Sequence, residues 1–250
     1  MQLSPTSGRN RLVWSAGFLA LICIVAAGGR DAKAQALQIA PVVIILAPGQ
    51  QTTTLSLSNT GSSPQAIQVR CFAWSQLHGV DTLVPTDNLL ASPPLATLPT
   101  GGTQTVRLVL RHPATTTEQT FRVLVDQIPP AGQPGMVQVA LRLSLPVFAA
   151  PLVPVHPTLK LRLEAGPEGA ALVARNEGTM RAKLTDVRLQ DARSQQITLI
   201  APESGWILPG AERRWPVPNG TTVSPGTTLN VTAQSEKGPI SDRLRVVEAP

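Results

Sequence analysis

The chain lacks tyrosine altogether and contains few other aromatic residues, three histidines and two cysteines among its 250 residues. The histidines stand far apart, and none is followed by a second metal ligand at the spacing that zinc sites use. The sequence also lacks a nucleophile elbow, a phosphate-binding loop and a dinucleotide fingerprint. We therefore predict no catalytic residue, metal site, cofactor or small-molecule substrate, and we do not expect an enzyme.

The first 36 residues have the pattern of a secretory signal peptide. Arg9 and Arg11 precede an uncharged apolar run at positions 12–27, which is shorter than the roughly 20 residues of a membrane span. Small residues then offer cleavage after Ala34 or Ala36. The mature chain is thus expected to be exported, and a retained N-terminal anchor is the alternative.

Removal of this segment changes both the cysteine count and the charge. Cys23 leaves with it, so that Cys71 remains alone and no intrachain disulfide is expected. The first 34 residues hold four of the 21 basic residues and one of the 15 acidic ones, so the formal net charge falls from +6 to +3. Without a basic cluster interleaved with aromatic residues, nucleic-acid binding is not predicted.

The remaining sequence predicts an all-β fold. Short runs rich in Val, Leu, Ile and Thr alternate with Pro, Gly, Asn and Asp, a spacing typical of β-sandwiches. The same plan occurs twice, as a strand that enters an Asn-x-Gly turn and, later, a Leu-Pro segment with glycine before another strand. The paired segments are Leu55–Gly61 with Leu172–Gly178, and Leu98–Gly101 with Leu208–Gly210.

This repeat predicts two immunoglobulin-like β-sandwich domains joined at an angle by a proline-rich connector. We expect the N-terminal domain at residues 37–150 and the C-terminal domain at residues 158–250. The connector at residues 151–157 contains three prolines, at positions 151, 154 and 157, and should be stiff.

One segment has an unbroken alternation of apolar residues with other residues, from Val137 to Val147. This period of two predicts a long strand with one strongly apolar face. Pro146 cannot donate a ladder hydrogen bond, which favours a sheet edge. The apolar face has two interpretations: it either fills the core of its own sandwich or pairs with another chain, since apolar edges are normally suppressed.

Several motifs together resemble the periplasmic pilus chaperones of the chaperone–usher pathway, the PapD-like superfamily. Within it, the chain is most similar to the archaic branch that serves spore-coat-U-like pilins. The motifs are Phe121–Val123 leading to Ile128–Pro130, Leu145–Phe148, Leu46–Gly49, Asn59–Gly61, Leu98–Pro99, Cys71–Gln76 and Pro85–Leu89.

The resemblance implies a chaperone that folds, caps and delivers pilus subunits to an outer-membrane usher by donor-strand complementation. The apolar residues that would enter the groove of the subunit are Val137, Val139, Leu141, Leu143 and Leu145. Family members also use the loop between the two long strands for the usher, which implies a role for Pro129 and Pro130. Self-association through the same edge strand is a further expectation.

The family anchors the C-terminal carboxylate of the subunit with basic residues between the two domains. The positions that correspond to the usual pair fall near Ile44 and Pro146, and neither is charged. The resemblance then implies Arg122 with Lys160 as the replacement pair, and Arg142 as the fallback. Each of these residues has the alternative interpretation of a solvated strand cation.

Other functions remain open at this stage. The main alternative is an exported two-domain immunoglobulin-like binding or adhesion module without chaperone activity. A carbohydrate site would need exposed aromatic residues, and only Trp74, Trp206 and Trp215 are available as tryptophans after the signal segment. A pilus subunit is less favoured, because a subunit usually contains a single incomplete domain.

Overall fold

The computed structural model describes residues 37–129, 140–167, 169–200, 205–218 and 223–249. Within these ranges every regular element is a β-strand, which confirms the predicted all-β fold. None of these residues forms a helix that is long and apolar enough to cross a membrane.

Residues 37–149 form two sheets that pack face to face. The first sheet has the strand order β1-β3-β8-β6, and the second has the order β2-β10-β9-β4-β5, with β7 also paired to β4. The strands are β1 (Leu37–Ala40), β2 (Ile44–Leu46), β3 (Thr52–Asn59), β4 (Gln65–Leu77), β5 (Val80–Pro85), β6 (Leu89–Ser92), β7 (Leu95–Leu98), β8 (Thr103–Leu110), β9 (Gln119–Ile128) and β10 (Arg142–Ala149).

The core of this first sandwich follows from the alternation along its strands. Leu55 and Leu57 of β3 point inward and meet Val106 and Leu108 of β8, and all four are fully buried. Val123 of β9 closes the core from the opposite sheet. Each such side chain contributes roughly 1.5–3 kcal/mol through its removal from water.

Residues 159–248 form the second sandwich, with the path β14-β13-β17-β18-β11-β12-β16 and β15 paired to β13. The long strand β18 joins the two halves of this path, because it pairs with β17 over most of its length and with β11 at its end. The strands are β11 (Leu159–Gly166), β12 (Gly169–Asn176), β13 (Ala182–Gln190), β14 (Gln196–Ile197), β15 (Trp206–Ile207), β16 (Glu212–Pro216), β17 (Thr228–Ser235) and β18 (Gly238–Glu248).

The first predicted Asn-x-Gly turn ends β3 and is held by a buried asparagine. The side chain of Asn59 accepts a hydrogen bond from the Gly61 N–H and donates to the Leu98 carbonyl. The Asn59 carbonyl accepts from Gly101, whose φ of 70° lies in the left-handed region that favours glycine. The two motifs that the sequence repeats therefore contact each other.

The second turn repeats this arrangement at the end of β12. Asn176 accepts from the Gly178 N–H and donates to the Ile207 carbonyl. Its own carbonyl accepts from Gly210, with a φ of 72°. The internal repeat predicted from sequence thus corresponds to one loop construction that occurs in both sandwiches.

Candidate functional site

The strand β10 has an open edge over most of its described length. It pairs with β9 throughout, whereas the parallel partner β2 reaches only Val147, Phe148 and Ala149. Among the described strands, residues 142–146 therefore have a single neighbour, and Pro146 lies within this stretch. The strand sits at a sheet edge there, as its proline indicates, and its described part is Arg142–Ala149.

The apolar side chains of this segment become more exposed towards the N-terminal end of β10. Leu145 is 6% exposed and belongs to the first core, Leu143 is half-buried against that core, and Leu141 is 36% exposed. Leu145 therefore packs in the core of its own sandwich, and its contact with a partner stays a prediction. Val137 and Val139 lie outside the described residues.

The loop that joins β9 to β10 begins with exposed residues. Ile128 ends β9 and is exposed, and Pro129 follows it, also exposed. Pro130 lies outside the described residues. The placement of Pro129 leaves it accessible to a partner.

Arg122 lies on the outer face of β9, away from the first core. Its guanidinium is 3.8 Å from the centre of the Trp74 ring, which is a cation–π contact. It also lies 3.9 Å from a carboxylate oxygen of Asp81 on β5. Arg122 is therefore held in place by neighbours of its own sandwich.

The basic residue of the second sandwich that reaches the same carboxylate is Arg213. Its guanidinium donates to Asp81 at 2.7 Å and to the Gly79 carbonyl at 3.1 Å. Asp81 thus lies between Arg122 and Arg213, one cation from each sandwich. Lys160, predicted together with Arg122 as an anchor for the client's carboxylate, is exposed on β11, opposite Arg175 of β12.

Arg142, the fallback candidate, forms an ion pair with Asp126, the residue directly opposite it on β9. The other oxygen of Asp126 accepts from Arg70 of β4 at 2.7 and 3.0 Å. Burial by itself raises the pKa of Asp126, but the hydrogen bonds and charges of Arg142 and Arg70 outweigh it and hold the pKa below its usual value. Asp126 is thus ionised at neutral pH.

A cluster of aromatic residues fills the contact between the two sandwiches. Phe148 lies between Trp74 of the first sandwich and Trp206 of the second, at 5.9 and 5.0 Å between ring centres. Both tryptophans are buried, as is Trp215 in the second core. The three tryptophans considered for a carbohydrate site therefore serve as packing residues.

A buried ion pair lies beside this cluster. Glu118, just before β9, accepts from both the backbone N–H and the guanidinium of Arg181, just before β13. The guanidinium also covers the ring of Phe148 at 4.0 Å. Burial raises the pKa of Glu118, and the charge and hydrogen bonds of Arg181 oppose that shift.

Sequence reasoning missed Asp81, Arg213, Glu118, Arg181 and Asp126. Asp81 and Arg213 are far apart in the chain, and their strands belong to different sandwiches. The alternation along a strand predicts which side chains point away from the core, but it does not predict which residues those side chains contact. The sequence offered one signal for Asp126: an antiparallel register of β9 and β10 places it opposite Arg142, which has the opposite charge.

Comparison with known families identifies the first sandwich. Residues 36–153 match the family model of the PapD N-terminal domain, described as a pili and flagellar-assembly chaperone. This part of the chain is similar to that family. This match confirms the predicted resemblance, and the matched residues include β10 with its open edge. Comparison with curated proteins finds no match.

Solved chaperone structures share the fold along most of the chain. A chain of the CsuC–CsuE chaperone-tip adhesion subunit pre-assembly complex, from archaic Csu pili of Acinetobacter baumannii, aligns with a TM-score of 0.62 and 18% identity over 86% of this chain and all of that one. A chain of the Salmonella enterica SafA pilin–SafB chaperone complex gives 0.58 and 17% over 84% and 97%. The E. coli chaperone DraB gives 0.54 and 17% over 86% and 97%. The fold is that of two-domain pilus chaperones.

Proposed function

We propose that this chain is a periplasmic chaperone that folds and caps pilus subunits and delivers them to an outer-membrane usher. The observation that carries the proposal is the open edge of β10, in a domain similar to the pilus-chaperone family. The apolar side chains along this edge become more exposed from Leu145 to Leu141. The clients expected from the archaic resemblance are spore-coat-U-like pilins.

Donor-strand complementation follows from the physics of that edge. Residues 142–146 have β9 on one side, and their backbone groups on the other side can form ladder hydrogen bonds with an incoming strand. The side chains of Leu141 and Leu143, with Val137 and Val139 before them, would fill apolar pockets of the subunit. Each filled pocket would contribute roughly 1.5–3 kcal/mol before the cost of ordering both chains.

The space beside Arg122 is our candidate for the client's C-terminal carboxylate. Arg122 and Arg213 place two guanidinium groups around the single carboxylate of Asp81, so the local charge is net positive and favours an anion. Lys160 is exposed and stays a second candidate. Arg142 already pairs with Asp126, which makes it the least favoured of the three predicted anchors.

Exposed Pro129, together with Pro130, remains our candidate for the first contact with the usher. The open edge of β10 also permits pairing between two copies of this chain when no subunit is present. Sedimentation over a range of protein concentrations would detect such self-association, and it should be suppressed by a bound subunit.

The decisive test is a periplasmic pull-down with the tagged mature chain and with Leu141→Asp. Leu141 is exposed, so the substitution should leave the fold intact and abolish co-purification of a pilin-like protein. Leu95→Asp is the matched control, because Leu95 is an exposed strand leucine on β7. Equal recovery with all three proteins would reject strand donation and favour the adhesion-module alternative.

A further inference from the structure

The apolar anchoring of β10 weakens towards its start. At its far end β10 is held by β2 and by the buried side chains of Val147 and Phe148. Towards Arg142, the β2 partner is missing and Leu141 is exposed. A strand held on one side by ladder bonds alone is prone to fray. Something else must define the direction in which the first residues of β10 leave the sandwich.

The group that lies at this position is the carboxylate of Asp126. Its side chain is 13% exposed, and each of its oxygens is used by a different strand. One oxygen accepts from Arg70 of β4 and the other from Arg142 of β10. Asp126 itself is on β9, between the two. A single carboxylate therefore connects three adjacent strands.

The two arginines have different surroundings. Arg70 is fixed further, because its guanidinium lies 5.5 Å from the centre of the Phe72 ring on its own strand. Arg142 is mostly exposed and is the first residue of β10. We call Arg70, Asp126 and Arg142 the triad. Its better fixed part lies on β4 and β9, and Arg142, the first residue of β10, is held against that part.

We propose that Asp126 is a positioning residue for strand donation: it holds Arg142, and with it the start of β10, in line with the sheet that a client strand extends. The inference rests on the proposed function. The incoming strand must find a straight, pre-aligned edge, since every residue ordered during capture costs free energy. Asp126 does not touch the client; it acts through Arg142.

The alignment itself can be measured without a client. The Gln127 N–H donates to the Leu141 carbonyl at 2.9 Å, just beyond the first residue of β10. Arg70→Ala leaves the sequence around Gln127 unchanged and should speed hydrogen exchange of the Gln127 amide by about tenfold, since charge-assisted hydrogen bonds are lost. Asp87→Ala, which removes an exposed ion pair with Arg111, should leave it unchanged.

Capture is measured with a spore-coat-U-like pilin subunit diluted from denaturant into the chaperone. We expect Asp126→Ala and Arg142→Ala each to slow capture by about tenfold and the double variant to be no slower than either. If Arg142 instead anchors the client carboxylate, Arg142→Ala will slow capture further in the Asp126→Ala background, and the positioning role is overturned.

The two proposals fail in distinguishable ways. If the native chain captures no subunit, the proposed function is wrong, and the exchange of Gln127 alone decides whether the triad aligns β10. If the native chain captures the subunit and all triad variants exchange and capture at native rates, strand donation stands and the role of Asp126 is rejected. Asp126→Glu, which keeps the charge, should recover part of the lost rate.

Discussion

At the scale of single residues, the described charges of the first sandwich's outer face are arranged around two carboxylates. Asp126 lies between Arg70 and Arg142, and Asp81 lies between Arg122 and Arg213. In each case one carboxylate lies between two guanidinium groups, so the local net charge is positive. This face therefore favours the binding of an anionic group of a partner. Each carboxylate holds its two arginines in position.

The lowered pKa of Asp126 makes the stabilisation by this residue dependent on pH. A carboxyl with a lowered pKa in the folded state stabilises the fold above its unfolded pKa, about 3.9, and this contribution is lost as the pH falls through the folded value. We expect Asp126→Asn to lower the free energy of unfolding at pH 7 and to have little effect near pH 2. Urea unfolding at several pH values measures both. An equal loss at pH 7 and pH 2 would contradict the ionic role of Asp126.

At the scale of elements, the sequence predicts strands well and their ends poorly. The runs at Leu55 and Leu172 entered Asn-x-Gly turns as predicted, because such turns depend on local chemistry. The alternation before Leu145 continued without a break, so it contained no information on where β10 begins. That position depends on the pairing with β9, which is a tertiary property.

The site could be predicted only in part for the same reason. Leu141 and Leu145 are equivalent by pattern, yet only Leu141 is exposed. Arg122 could be proposed because its strand was predicted, whereas Arg213 belongs to the other sandwich and no local signal predicts its contact with Asp81. Lys160 was chosen for its closeness to the connector in sequence, but the register of β11 leaves it exposed.

The different burial of the two leucines gives a sharp test of the structure. Leu145→Ala should lower the free energy of unfolding by about 2–5 kcal/mol, because it opens a cavity in the first core. Leu141→Ala should change it by less than about 0.5 kcal/mol, as exposed substitutions do. Chemical denaturation of both variants measures the difference. Similar losses for the two would mean that the face is buried along its whole length.

At the scale of the whole molecule, the two sandwiches contact each other through a desolvated interface. Phe148 and its two tryptophan neighbours supply the apolar part, and Glu118 with Arg181 supplies an ion pair that is shielded from water. Because the charges are buried, removal of one partner leaves the other without compensation. The relative placement of the sandwiches should therefore be sensitive to this pair.

We expect Glu118→Ala to lower the free energy of unfolding by about 3–5 kcal/mol, since it leaves the Arg181 guanidinium buried and unpaired. The double variant Glu118→Leu with Arg181→Met removes both charges and should be within about 2 kcal/mol of the native chain. Denaturant unfolding measures both values. If the double variant were as unstable as the single one, the pair would contribute to stability by more than the neutralisation of two buried charges.

The two sandwiches are built alike at their last strands as well as at their Asn-x-Gly turns. Their last strands correspond, because β10 ends in a parallel pairing with β2 and β18 ends in a parallel pairing with β11. Aligned on these pairings, the position of Leu143 in β10 is taken by Asp242 in β18. A charge on an edge strand discourages intermolecular pairing. The last strand of the second sandwich thus carries an acidic residue where that of the first carries Leu143, and it is the less suited of the two to pairing with another chain.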